Sequence, residues 1–144
     1  MKNPLVEAVE LVLGQLGISH AKLIHESYDQ QSFGNAEAVF EIGHLRLRFI
    51  RDRGQDFVDL GSSTSPGHYY LFDDVSVMMR WEGLNDIVSV DEPISLNKVL
   101  GYIQNDLDKL DKAFSAEEIM STNAKLKSAE RQRTKAMFSS SKLP

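Results

Sequence analysis

The sequence predicts an α+β domain in which a short antiparallel β-meander packs against an N-terminal helix and C-terminal helices. An amphipathic stripe opens the chain, two tight turns in the middle agree on one strand register, and a second long apolar stripe at helical spacing follows Ser95.

At the start, Asn3 can cap a helix with Pro4 in its first position, where the missing N–H has no helical partner to lose. Leu5, Val9, Val12, Leu13 and Leu16 then fall on one stripe, and Gly17 supplies a left-handed stop. Residues 21–28, around Leu23 and Ile24, read as a first strand, and 30–35 as a mostly polar loop.

Gly43-His44 suits a two-residue hairpin with glycine where φ must be positive. Counting outward pairs Ile42 with Leu45, Phe40 with Leu47 and Ala38 with Phe49 on one face, and Glu41 with Arg46 on the other. Arg53-Gly54 makes a second turn, which sets Phe49 opposite Val58, Leu47 opposite Leu60 and Arg48 opposite Asp59. Both turns put the same face of the strand at 45–51 inside, because a slip of one residue would bury Arg46 and Arg48. Ile50 and Phe57 pair on the outer face, where the register gives them no reason to be apolar.

The breaker-rich run from Gly61 to Gly67 ends the meander. Tyr69 to Trp81 fits either a further strand or a helix started by Asp73 or Asp74, and 84–90 is a short apolar stretch closed by Asp91-Glu92-Pro93. Ser95 then caps a second long helix, with Leu96, Val99, Ile103, Leu107, Leu110 and Phe114 as one continuous stripe. Ser115-Ala116-Glu117-Glu118 has capping-box spacing, so another helix is expected to start there. Residues 1–121 read as a single domain, and 122–144 as a basic helical or partly disordered segment, with Ser139-Ser140-Ser141 disordered.

The chain has no cysteine, which excludes disulfides, thiolate nucleophiles and sulfur-ligated zinc and fits a reducing compartment. Glu7 and Glu10 interrupt the opening segment, against a signal peptide, and no apolar run approaches the roughly 20 residues that span a bilayer. A cytoplasmic protein without membrane partners is expected. The net charge of −5 conceals an asymmetry, since Lys125, Lys127, Arg131, Arg133, Lys135 and Lys142 stand against Glu130 alone in the last stretch. The remainder is acidic, which favours a basic partner surface and disfavours nucleic acid.

No motif for chemistry emerges. His20, His25, His44 and His68 lack metal-ligand spacing, and the serines and threonine at 62–65 lack the lysine and strand-to-helix context of a phosphate loop. That segment reads as a flexible loop. No nucleophile elbow is present. Asp106, Asp108 and Asp111 stand beside Lys109 and Lys112 and read as a solvated face. Neither a catalytic residue nor a cofactor nor a metal is expected. Asp73-Asp74, by contrast, stands beside Tyr69, Tyr70, Phe72, Met78, Met79 and Trp81, a mixture that suits a surface for a basic partner as well as a core.

Two stretches, Leu45-Arg46-Leu47-Arg48-Phe49-Ile50-Arg51-Asp52-Arg53-Gly54-Gln55-Asp56-Phe57-Val58-Asp59-Leu60-Gly61 and Tyr69-Tyr70-Leu71-Phe72-Asp73-Asp74-Val75, resemble small immunity proteins encoded beside bacterial polymorphic toxins, most of all the contact-dependent growth inhibition type. The resemblance implies a cytoplasmic protein that neutralises one toxin domain, often a basic nuclease, by occluding its active site. The expected partner-binding residues, read from this sequence alone, are Asp73, Asp74, Trp81 and Glu82, with Asp56 and Asp59 if the sheet edge participates. An acidic secretion chaperone, usually dimeric, is a second binding-protein reading, and a small carboxylate enzyme is a third of a different class. The sequence leaves the oligomeric state open.

Overall fold

A computed structural model describes residues 2–81 and 95–141, with side chains of the last helix as far as residue 135. Along the chain run α1 (Pro4–Gln15), β1 (Lys22–Asp29), β2 (Asn35–Ile42), β3 (Leu45–Asp52), β4 (Gln55–Ser62), β5 (Tyr69–Leu71), α2 (Phe72–Met79), α3 (Leu96–Asn105), α4 (Leu107–Ala113) and α5 (Ile119–Ser141). The strands form one antiparallel sheet in the order β1-β2-β3-β4-β5, and the helices make the fold α+β.

Asn3 caps α1 by accepting from the Leu5 N–H at 3.0 Å. Its amide also donates to the Ser27 and Glu37 carbonyls at 2.9 and 3.3 Å, so the cap fastens the helix start to β1 and β2. Both hairpin registers are as expected, from Ile42 opposite Leu45 to Arg48 opposite Asp59. The alternation follows: Leu45, Leu47 and Phe49 are fully buried, and Arg46, Arg48 and Ile50 between them are half-buried on the outer face. Pairing along β1 shifts between Leu23 and His25, a bulge of the kind that blunts an edge strand.

The inner face of the sheet meets Leu5 and Val9 of α1, Phe72 and Val75 of α2, Val99, Leu100 and Ile103 of α3, and Leu110 and Phe114 from α4 in one cluster. Each such side chain, taken wholly out of water, stabilises the fold by about 1.5–3 kcal/mol before entropy is counted.

Three local expectations are corrected. The segment from Tyr69 to Trp81 is both elements in turn: a three-residue strand pairs with β4, and α2 starts at Phe72, with Leu71 at the N-cap and Asp73 and Asp74 in the first turn. The stripe after Ser95 is not one helix. It breaks at Asp106, whose carboxylate accepts from the Trp81 indole at 2.6 Å, and both halves still reach the same core. Nor does the capping box form. The Ser115 hydroxyl donates back to the Lys112 carbonyl at 2.6 Å, and α5 begins at Ile119.

The serine loop leaves the end of β4, where buried Ser62 donates to the Phe114 carbonyl at 2.5 Å and the Ser63 N–H reaches the His44 carbonyl at 2.9 Å, and Thr64, Pro66 and Gly67 beyond are exposed. The serine run Ser139-Ser140-Ser141 continues α5 instead of fraying. The apolar stretch at 84–90 and its closing Asp91-Glu92-Pro93 lie outside the described residues.

A candidate partner-binding surface at the turn end of the sheet

The acidic and aromatic residues singled out in the sequence do not converge on one surface. Asp74 is 4% exposed, and its carboxylate accepts from Arg133 of α5 at 2.7 Å. Trp81 is 5% exposed between the rings of Phe72 and Tyr102, at centroid distances of 5.4 and 5.6 Å, with its indole on Asp106. These two serve the interior, and charge reversal at Asp74 would test folding rather than binding. Asp73 is half-buried, and that burial raises its pKa, with Arg133 opposing the rise and Asp74 adding to it.

Asp56 and Asp59 stand three positions apart on β4 and so point to opposite faces of the sheet. Asp56 grips Arg51 through two hydrogen bonds of 2.7 and 3.0 Å. Asp59 lies on the outer face opposite Arg48, its pKa raised by burial and partly restored by that arginine. Arg48 itself bonds Glu37 at 3.0 Å and lies 5.5 Å from the centre of the Tyr69 ring. β5 pairs only with Asp59, Leu60 and Gly61, so Asp59 is covered, whereas Asp56 stands on the stretch of β4 that β5 leaves unpaired. Glu82 lies outside the described residues. The acidic stretch after Asn105 is only partly a solvated face: Asp106 holds Trp81, and Asp111 accepts from the His44 N–H at 2.6 Å.

A different arrangement forms where the β1–β2 and β3–β4 turns lie side by side. In the first, the Asn35 N–H closes on the Ser32 carbonyl at 3.0 Å, with Phe33 at φ 60° and Gly34 at φ 70°. In the second, Arg53 at φ 52° and Gly54 at φ 81° connect Asp52 to its partner Gln55. Positive φ at both central residues defines the type I′ turn, which favours Asn or Gly in its first central position. Each turn instead carries a large side chain there, and a bulky residue in left-handed backbone is strained.

The two misfitted residues meet. The Arg53 guanidinium lies 5.8 Å from the centre of the Phe33 ring, and its backbone N–H donates to the Asn35 side chain at 2.9 Å, which joins the turns. Phe33 is nevertheless 78% exposed.

No protein-family model, curated protein or solved structure matches this chain.

Around the two turns the surface is acidic and slightly concave. Asp29 is exposed and held below the usual carboxylate range by the Ser32 hydroxyl and then by the Gln31 N–H, so it carries full charge at neutral pH. Asp52 is exposed beside it, across β2 from β1. An open groove of ≈350 Å³ lies between them at the end of β1, β2 and β3, with Tyr28, Ala36 and the Arg51 that Asp56 fixes in its lining. Ile50 also lines it, and its cross-strand partner on the outer face is the half-buried Phe57.

Such a surface can offer an aromatic anchor, a stacked arginine and an acidic rim on a rigid hairpin end. Sequence patterning does not single out Phe33, because its loop is otherwise polar. The one signal is an aromatic residue directly before a turn glycine, where neither propensity nor burial calls for one. Among the described residues no three His, Asp or Glu side chains gather as a metal cluster would require, and no helix is long and apolar enough to cross a membrane.

Proposed function

We propose that this chain is an immunity protein of the cytoplasm, which binds a cognate bacterial toxin domain and occludes its active site by seating the paired turns in the toxin's cleft. One observation carries the reading: Phe33 sits 78% exposed in a left-handed position that costs the fold stability and returns no burial. Strain of that kind persists where the side chain is used outside its own core. Arginine and aromatic side chains dominate protein-binding hot spots, and an exposed ring on a pre-formed turn loses little entropy when it enters a pocket. The rim of Asp29 and Asp52 and the net charge of −5 suit a cationic cleft, as the substrate channel of a nuclease is. The partner is a protein, and neither nucleic acid nor a membrane is required.

The test uses the product of the gene next to this one as bait in a pull-down, followed by calorimetry and by growth rescue on co-expression. Phe33→Asn suits the turn better than phenylalanine does, so the variant keeps or raises the melting temperature. It should weaken toxin binding by about thirty-fold, the ~2 kcal/mol of a hot-spot residue. Unchanged affinity in that well-folded variant removes the paired turns as the interface, and failure of the wild-type chain to bind or to rescue growth removes the immunity reading itself.

A further inference from the structure

On α2 and α5 the geometry points to a second docking site, independent of the paired turns: a cationic groove that we propose takes an acidic peptide segment of a protein partner. The groove has a volume of ≈430 Å³ and is lined by Val77, Met78 and Arg80 from α2 and its end, and by Lys125, Ser128, Ala129 and Gln132 from α5. Those α5 positions follow the i, i+3, i+4, i+7 rule and so form one stripe, about 10 Å long at the helical rise.

Arg80 is the first argument. It ends α2 in the left-handed conformation, φ 57° and ψ 43°, while the Trp81 N–H closes back on the Ser76 carbonyl at 3.1 Å. Glycine is the residue this helix stop favours, because a side chain there crowds the backbone. Yet the position holds an arginine, and its side chain is exposed at the mouth of the groove.

Charge supplies the second argument. In this acid-rich chain Arg46, Arg48, Arg51 and Arg133 each hold a carboxylate within 3.0 Å. Arg80 and Lys125 form no ion pair among the described residues, and no acid lines the groove. Those two cations flank Val77, Met78 and Ala129 in a groove whose exposed lining is mostly polar, and Ser128 and Gln132 add hydrogen-bonding groups. A ligand that complements this carries carboxylates interleaved with apolar side chains, which is the composition of an acidic amphipathic peptide. Single-stranded nucleic acid fits less well, because no aromatic side chain lines the groove to stack a base, and the body beyond it is acidic.

The probe is a fluorescein-labelled peptide of alternating glutamate and leucine, with a lysine and leucine peptide as control, titrated with the full chain at about 0.15 M salt. Saturable binding of the acidic peptide alone is expected, with amide shifts in NMR at Val77, Arg80, Lys125 and Gln132. Arg80→Gly should raise the melting temperature and weaken the complex at least tenfold. Arg80→Glu combined with Lys125→Glu should abolish it, while Phe33→Asn leaves it unchanged. Absence of binding, equal binding of the basic peptide, or retained affinity in Arg80→Gly would each overturn the proposal. So would tighter binding of oligothymidine through the same two residues, which would reassign the groove to nucleic acid.

Discussion

Arg133, midway along α5, donates to the Asp74 carboxylate in the first turn of α2 at 2.7 Å, and the two side chains are only 16% and 6% exposed. The contact joins residues 59 apart in sequence and, with the Tyr70 hydroxyl on Asn123 at 2.5 Å, holds the basic helix against the sheet. Asp74 raises the guanidinium pKa still further through that hydrogen bond, so the arginine is charged at every accessible pH. Asp74 also sits where the α2 dipole favours an anion.

Removing one partner should therefore be costly. Asp74→Ala takes from the half-buried Arg133 guanidinium the carboxylate it bonds and is expected to destabilise the fold by about 1–3 kcal/mol, whereas the double variant Asp74→Leu, Arg133→Met recovers part of the loss. Urea unfolding followed by circular dichroism measures both. A loss below about 1 kcal/mol in the single variant would mean that α5 is not docked in solution.

Gly61 stands on β4 directly opposite Tyr69 of β5, and a Cβ there would stand 2.6 Å from the His68 carbonyl oxygen and 2.9 Å from the Tyr69 ring. Gly61→Ala should displace the three-residue strand and cost about 1–3 kcal/mol, as overpacking does. Amide exchange at Tyr69, Tyr70 and Leu71 should accelerate selectively. An unchanged melting temperature would show that β5 does not pair as described.

Asp73 gives a pH dependence whose sign follows from burial. Its folded pKa is raised chiefly by desolvation, so the native state holds the carboxyl proton more tightly than the unfolded chain does. Stability from this group is thus greatest below the ordinary aspartate value of about 3.9 and is lost as pH rises through the elevated folded value. Asp73→Asn should then stabilise the protein at neutral pH, by less than about 1 kcal/mol for a half-exposed, solvent-screened group, with the gain vanishing near pH 3. A gain that grew on acidification would contradict the cause assigned.

The meander was legible because its determinants are local. Gly43 and Gly54 take the positive φ their turns require, at 60° and 81°, and period-two alternation then settles which side of β3 is buried. The same alternation along β4 sets Asp56 and Asp59 on opposite faces, since residues three apart on a strand point opposite ways. The helix that starts at Pro4 followed from its cap and stripe in the same manner.

What the sequence by itself determined is the α+β class, the register of β2, β3 and β4, and the buried row from Ala38 to Leu60. Tertiary structure alone decided that Asp74 and Trp81 turn inward to Arg133 and Asp106, that the long stripe breaks at Asp106, and that Phe33 meets Arg53 across two turns. The difference is physical. Backbone conformation and alternation depend on near neighbours, but the exposure of a charge or a ring depends on which distant side chain can satisfy it, and no local pattern encodes that choice.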